Sequence, residues 1–163
     1  MLTKIISTVK EKSNLNQWKN TQSVIKWFSE IHITKKMTFI QFDICEFYPS
    51  ITEKLLIDAI AFAEKYVKIC NDEKEIIFHA RKSYMVSGGN PLMKKQNKNF
   101  DFGMGSFDGA EIAELVGLYL LSLLAQLKIN VGLYRDDGLA VCSLTPRQTE
   151  NIKKEIYKAL KSR

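Results

Sequence analysis

Two acidic residues interrupt a pair of short hydrophobic runs near the end of the chain, and this pattern limits the possible folds more than any other feature. Asp136 and Asp137 stand between Val131–Tyr134 and Leu139–Cys142, two runs of the length and composition of hairpin strands. An earlier run, in which Phe and Ile alternate with polar residues, ends near Asp43, and this alternation is the period of a strand. The sequence therefore predicts three strands with carboxylates at their ends.

Helices are predicted around these strands. They run from about Ser50 to Ile69, from Glu73 to Met85 and from Asp108 to Leu127, and Thr145–Gln148 begins a last one. Ser50, Asp108 and Thr145 are the expected N-caps. The order strand, helix, helix, hairpin, helix predicts an α+β fold of two layers. We expect a split βαβ, ferredoxin-like arrangement in which helices cover one face of an antiparallel sheet.

Composition indicates one core and a polyanionic partner. With 163 residues and 45% hydrophobic content, the chain has apolar material for one packed core. Its formal charge of +6 suits nucleic acid, although lysines that merely solubilise helix faces would give the same charge. Lys94, Lys95 and Lys98 are candidate phosphate contacts, and a solvated loop is an equally good interpretation of them.

The cysteines and the hydropathy pattern bear on the compartment. Three cysteines without metal-type spacing argue against a disulfide framework and favour a reducing environment. No apolar run approaches the roughly 18 residues of a membrane span, and the first residues lack the apolar core of a signal peptide. The sequence therefore predicts an intracellular protein, cytoplasmic or nuclear, that is neither secreted nor bound to a membrane.

The three carboxylates suit metal-dependent phosphoryl transfer. Two Mg²⁺ ions about 3.5–4 Å apart can neutralise most of the charge in such a reaction. Asp43 would bridge both ions, the carbonyl of Ile44 could add an oxygen, and Asp136 would complete the set with Asp137 as a supporting group. The alternative is that Asp136 and Asp137 form an ordinary solvated turn, since Asp is a favoured turn residue.

Three segments resemble the motifs of a known family. Phe42–Ile51 resembles motif A of reverse transcriptases, especially the Penelope-like group, whose pattern is Asp-x-x-x-Leu/Phe-Tyr-Pro-Ser-Ile. Met104–Ser106 resembles motif B, in which a Gly-Ser turn precedes a long helix. Tyr134–Asp137 resembles motif C, Tyr-x-Asp-Asp. The similarity covers about residues 37 to 143, which correspond to the palm of the polymerase.

The resemblance implies an RNA-directed DNA polymerase of mobile-element type. Such an enzyme would transfer deoxynucleotides to a primer 3′-hydroxyl with two Mg²⁺ ions, Mn²⁺ being a possible substitute, and its partners would be a template–primer and deoxynucleoside triphosphates. Asp43, Asp136 and Asp137 would be its catalytic residues, with Tyr48 as the steric gate that blocks a ribose 2′-hydroxyl. Gly105 and Ser106 would contact the template or nascent pair. The cation of Arg135 could offset the carboxylates or contact a primer phosphate.

The family pattern also predicts how the chain is divided. Residues 1–36 would be a helical segment at the end of the fingers, and residues 37–163 the palm, with the thumb and the rest of the fingers belonging to a larger polymerase. Two alternatives stay open. One is a degenerate, non-catalytic remnant that still binds nucleic acid. The other is a fragment of a protein-primed family B DNA polymerase, whose motif C normally reads Asp-Thr-Asp.

Overall fold

The computed structural model describes residues 1–32, 37–82, 85–92 and 106–161. In chain order the elements are α1 (Leu2–Ser13), β1 (Asn16–Gln17), α2 (Thr21–Ser29), β2 (Thr38–Asp43), α3 (Phe47–Ser50), α4 (Glu53–Ala63), α5 (Asn71–His79), β3 (Met85–Ser87), β4 (Asn90–Leu92), α6 (Gly109–Ala125), β5 (Asn130–Tyr134), β6 (Asp137–Cys142) and α7 (Pro146–Lys161). None of the helices described is long and apolar enough to cross a membrane.

The main sheet has four strands in the order β1-β5-β6-β2. The three predicted strands pair antiparallel, and the two-residue strand β1 adds to β5 in parallel. Because side chains alternate along a strand, Ile40, Leu133 and Ala140 share one face. This face packs against α6 and α7. The α+β fold of two layers is therefore as predicted.

The opposite face of the sheet is partly covered as well. Val141 of β6 packs there against Trp18, which follows β1, and Trp27 of α2. The two indole rings meet edge to face with centroids 4.9 Å apart, a favourable aromatic geometry. The prediction placed helices on one face, and the structure adds the short helix α2 to the other.

Helix α6 is the central helix of the fold, and nearly its whole surface is buried. Apolar residues follow one another around it, which is typical of a helix without a solvent face. The helices α1 and α4 and the strand β5 all contact it. Its fully buried residues include Ile112, Leu115, Val116, Leu118 and Leu124. The start of α6 is thus fixed relative to the strands that carry the aspartates.

Two of the three predicted N-caps differ from the structure. The first predicted helix corresponds to α4, which is capped by Thr52: the side chain of Thr52 accepts a hydrogen bond from the N–H of Leu55 at 3.1 Å. Ser50 lies in the preceding turn of helix, and its hydroxyl donates to the carbonyl of Phe47 at 2.7 Å. The predicted cap at Thr145 is confirmed by reciprocal hydrogen bonds with Gln148.

The second predicted helix is too long at its C-terminal end. It ends at His79 rather than Met85, and Met85 instead begins a small hairpin of β3 and β4. Gly88 and Gly89 form the turn with φ values of 58° and 78°. Both values lie in the left-handed region that glycine adopts without steric cost and that two-residue hairpin turns require.

Candidate active site

Strand pairing brings two of the predicted carboxylates together. In the ladder of β2 and β6, Asp43 lies directly opposite Asp137. The backbone N–H of Ile44 donates to the carbonyl of Asp136 at 3.0 Å, so Asp43 and Asp137 occupy a non-hydrogen-bonded position of the ladder. Residues paired in this way have Cα atoms about 4.5 Å apart and side chains on the same face. The two carboxylates are therefore neighbours at the end of the sheet.

Asp136 lies in the hairpin turn beside this pair. Because Tyr134 pairs with Asp137, Arg135 and Asp136 form a two-residue turn. Arg135 has a φ of 55°, a left-handed conformation that is uncommon for a residue with a side chain. Its guanidinium carbon lies 5.6 Å from the centroid of the Tyr134 ring, within the range of a cation–π contact. A positive charge is thus held next to the aspartates.

The carboxylates differ in exposure and fit a magnesium ion only in part. Asp43 and Asp137 are exposed, and Asp136 is half-buried. Within the part of the chain that the structure describes, no three His, Cys, Asp or Glu side chains are close enough to hold a metal ion by themselves. Magnesium, however, is often bound by one or two carboxylates together with substrate phosphates. The pair of aspartates at the strand ends provides hard oxygen donors of this kind.

Two glycines allow aromatic rings to lie against the hairpin. A Cβ atom on Gly138 would lie 2.1 Å from the ring of Phe42, which precedes Asp43. A Cβ atom on Gly132 would be equally close to the ring of Trp18. Neither glycine is among the predicted site residues, although glycine inside a strand pattern is a signal of close approach by another group.

Tyr48, the predicted steric gate, lies at a cleft beside the hairpin. A left-handed residue, Glu46 with φ 51°, turns the chain from β2 into α3. Phe47 is then buried in the core, and the half-buried ring of Tyr48 meets it edge to face at 5.8 Å. The cleft has a volume of about 400 Å³ and is also lined by Tyr134 and Arg135. The structure thus brings the predicted gate and the motif C turn to one cavity.

The first half of α6 also lines the cleft. Ala110, Ala113 and Glu114 line it. Glu114 forms an ion pair with Lys10 of α1, and the backbone carbonyl of the same residue accepts from the side-chain amide of Gln17 at 2.7 Å. Helix α1 and strand β1 are therefore tied to α6 at the cleft. No local pattern predicts the ion pair of Lys10 and Glu114, because its members are 104 positions apart.

A buried arginine fixes the residues that precede α6. The side chain of Arg81 is 2% exposed and forms an ion pair with Asp108. Its Nη1 donates to the hydroxyl of Ser106 at 3.3 Å. Asp108 occupies the N-cap position, but its side chain makes no capping hydrogen bond. The predicted capping role of Asp108 is therefore wrong, because the carboxylate binds Arg81 instead.

Several predicted contacts lie outside the described residues. These are Gly105 of the motif B turn and the three lysines Lys94, Lys95 and Lys98. Ser106, the other motif B residue, is described and half-buried.

The structure brings together Asp43, Asp136 and Asp137 at one end of the sheet, with Tyr48 and Arg135 at the cleft beside the hairpin.

Comparison with known proteins adds a structural relative. No family model matches the chain, and no curated protein matches it at a significant level. The fold is similar to that of an apo telomerase from Candida tropicalis, truncated from its C-terminal domain, with a TM-score of 0.64 and 14% sequence identity. The match covers 94% of this chain and 35% of the telomerase chain. At this identity the likeness establishes the fold, and the chain spans about a third of the protein it resembles.

Proposed function

We propose that this chain is the palm of a reverse transcriptase, which transfers nucleotides to a primer 3′-hydroxyl. The observation that carries the proposal is the pairing of Asp43 with Asp137, with Asp136 in the adjoining turn. The likeness of fold to a telomerase, itself a reverse transcriptase, supports it. So does the net charge of +6, which attracts a polyanion such as a template–primer.

Asp43 and Asp136, with the carbonyl of Ile44, would hold two Mg²⁺ or Mn²⁺ ions, and Asp137 would orient or support them. When bound, such ions neutralise charge on the transferred phosphoryl group and activate the attacking hydroxyl. The strand ends contribute rigid positions for the carboxylates, since both β2 and β6 are held by a continuous ladder. Rigid placement is what this chemistry requires of the protein.

The cleft would receive the incoming deoxynucleotide. The ring of Tyr48 lines one side and would exclude a 2′-hydroxyl, while Arg135 would contact a phosphate of the primer. Gly105 and Ser106 would contact the template or nascent pair, and Lys94, Lys95 and Lys98 the backbone phosphates. We extend the proposal to an origin in a Penelope-like mobile element on the resemblance of motif A, with the fingers and thumb supplied by a larger polymerase.

Primer extension by a single nucleotide tests the reaction. With Mg²⁺ or Mn²⁺ present, the wild type should add one deoxynucleotide on an RNA or a DNA template. Asp136→Asn and Asp43→Asn should each lower the rate by about a thousandfold or more, the effect of losing several kcal/mol of charge stabilisation. Asp72→Asn is the matched control, since Asp72 is exposed in the first turn of α5 and belongs to no strand of the sheet.

The outcomes separate the proposal from a chance arrangement. Extension that disappears in both aspartate variants and persists in the control supports a polymerase and identifies its template. Extension that survives Asp136→Asn contradicts the assigned mechanism. Circular dichroism of each variant establishes that the fold is intact, so that a lost activity is not a lost structure.

A second candidate is a non-catalytic protein that binds nucleic acid. It is favoured by one observation, that the described residues contain no group of three potential metal ligands. Such a protein would bind a template–primer with a strong dependence on salt. Its affinity would not change with Asp136→Asn or with Mg²⁺ at constant ionic strength. Binding without extension under every condition would therefore favour this candidate over the polymerase.

A further inference from the structure

Arg81 is buried to an extent that is unusual for an arginine and that calls for an explanation. Its side chain is 2% exposed and lies just beyond α5, where its backbone N–H donates to the carbonyl of Phe78. A buried guanidinium is costly unless ion pairs and hydrogen bonds replace its water. Here Asp108 supplies the ion pair and the hydroxyl of Ser106, 3.3 Å from Nη1, supplies a hydrogen bond.

Asp108 binds Arg81 instead of capping the helix α6 that it precedes. An aspartate before a helix usually accepts a hydrogen bond from a backbone N–H two or three residues later, which is worth about 1 kcal/mol. The side chain of Asp108 makes no such bond. The turn that precedes α6 is thus held by a long-range ion pair instead of by its own cap.

This turn leads into the helix whose first half lines the cleft. Ser106 and Asp108 lead directly into α6, and Ala110 in the first turn of that helix lines the same cavity as Tyr48 and Arg135. A shift of Ser106 or of the helix start would therefore alter this cavity. In addition, the guanidinium of Arg81 compensates the carboxylate of Asp108, which would otherwise repel a nucleic acid that approaches this turn.

We propose that Arg81 is a positioning residue for nucleotidyl transfer. It holds Ser106 where that residue contacts the template–primer, and it cancels the charge of Asp108. This role rests on the proposed function, and it assigns Arg81 no contact with the substrate or with a metal ion. The fork of the guanidinium is essential to it, because one group must bind a carboxylate and a hydroxyl in fixed directions.

Two variants separate positioning from simple support of the fold. Arg81→Met alone would leave the carboxylate of Asp108 uncompensated, so it is combined with Asp108→Asn to remove both charges. Arg81→Lys keeps the positive charge and loses the fork. The control is the double variant Lys74→Met with Glu64→Gln, which removes another ion pair, 2.5 Å long, that joins α5 to the end of α4.

Each variant is measured by thermal unfolding, by fluorescence anisotropy with a labelled template–primer, and by kcat and KM in primer extension. Arg81→Met with Asp108→Asn should unfold near the wild-type temperature yet bind the template–primer about tenfold more weakly, as expected when a charge-assisted contact is no longer positioned. Arg81→Lys should raise the Kd in the same direction by a smaller factor. The control pair should match the wild type in affinity and in KM.

Wild-type affinity and KM in the folded double variant, or in Arg81→Lys, would overturn the positioning role while leaving the polymerase proposal intact. A wild-type chain that neither binds nor extends a template–primer would overturn both proposals. The two failures are therefore distinguishable, because only the second involves the unaltered protein.

Discussion

At the scale of single residues, Gly138 and Phe42 share one space at the ladder position adjacent to the pair of Asp43 and Asp137. A methyl group on Gly138 would lie 2.1 Å from the Phe42 ring, so Gly138→Ala must displace that ring. We expect the free energy of unfolding to fall by about 1–3 kcal/mol, the usual cost of overpacking. Adding Phe42→Leu should recover part of the loss, because a shorter side chain leaves room for the methyl. Urea unfolding of the wild type, the single variant and the double variant measures both effects, and an unchanged midpoint in Gly138→Ala would contradict the expectation.

Single residues also show which parts of the site a sequence can predict. The positions of Asp43, Asp136 and Asp137 at the strand ends could be predicted because strand periodicity is a local pattern. Arg81 could not be, because its partners lie 25 and 27 positions away. At Asp108 a local interaction competes with a long-range one. The local capping rule predicts a hydrogen bond within the helix start, and the ion pair with Arg81 replaces it.

At the scale of secondary structure, α5 begins with a pH-sensitive cap. The backbone N–H of Cys70 donates to the carboxylate of Glu73 at 2.9 Å, and this hydrogen bond lowers the pKa of Glu73 below its ordinary value of 4.5. A carboxylate with a lowered pKa in the folded state stabilises the protein above the unfolded value, and this contribution is lost as the pH falls through the folded value. Glu73→Gln should therefore unfold with a weaker dependence on pH below about 4.5. Thermal unfolding of both chains from pH 3 to pH 6 tests this, and parallel curves would show that the cap is not coupled to folding.

Secondary structure was predicted best where the pattern was long or strictly alternating. The strands β2, β5 and β6 and the helix α6 lie close to their predicted positions. The strand β1 has two residues and pairs with Gly132 and Leu133 from the other end of the chain, so no local periodicity marks it. The prediction extends α5 to Met85. In the structure, the turn at Gly88 and Gly89 lets Met85–Ser87 pair with Asn90–Leu92, so Met85 belongs to a strand instead of a helix.

At the scale of the whole molecule, the chain combines a net charge of +6 with an acidic site. The positive charge favours approach of a polyanion, whereas the neighbouring aspartates at the ends of β2 and β6 would repel it. A divalent cation bound there, as proposed, would resolve this conflict, since it would neutralise the aspartates and attract phosphate. The ordered sheet and helices can then act as a rigid support, because α6 links the cleft wall to the core.

If the aspartates hold such ions, divalent cations should stabilise the folded protein. An ion that binds the folded chain alone raises the free energy of unfolding by RT ln(1 + [L]/Kd), about 2.7 kcal/mol at one hundred times Kd. Two ions would double the slope of this free energy against the logarithm of Mg²⁺ concentration. Asp43→Asn should abolish the slope, and Asp72→Asn should retain it. Thermal or urea unfolding across a Mg²⁺ series, with NaCl added to keep the ionic strength constant, measures the slope without requiring any catalytic activity. An equal slope in the wild type and in Asp43→Asn would place the stabilising ions elsewhere on the protein and contradict the assigned metal site.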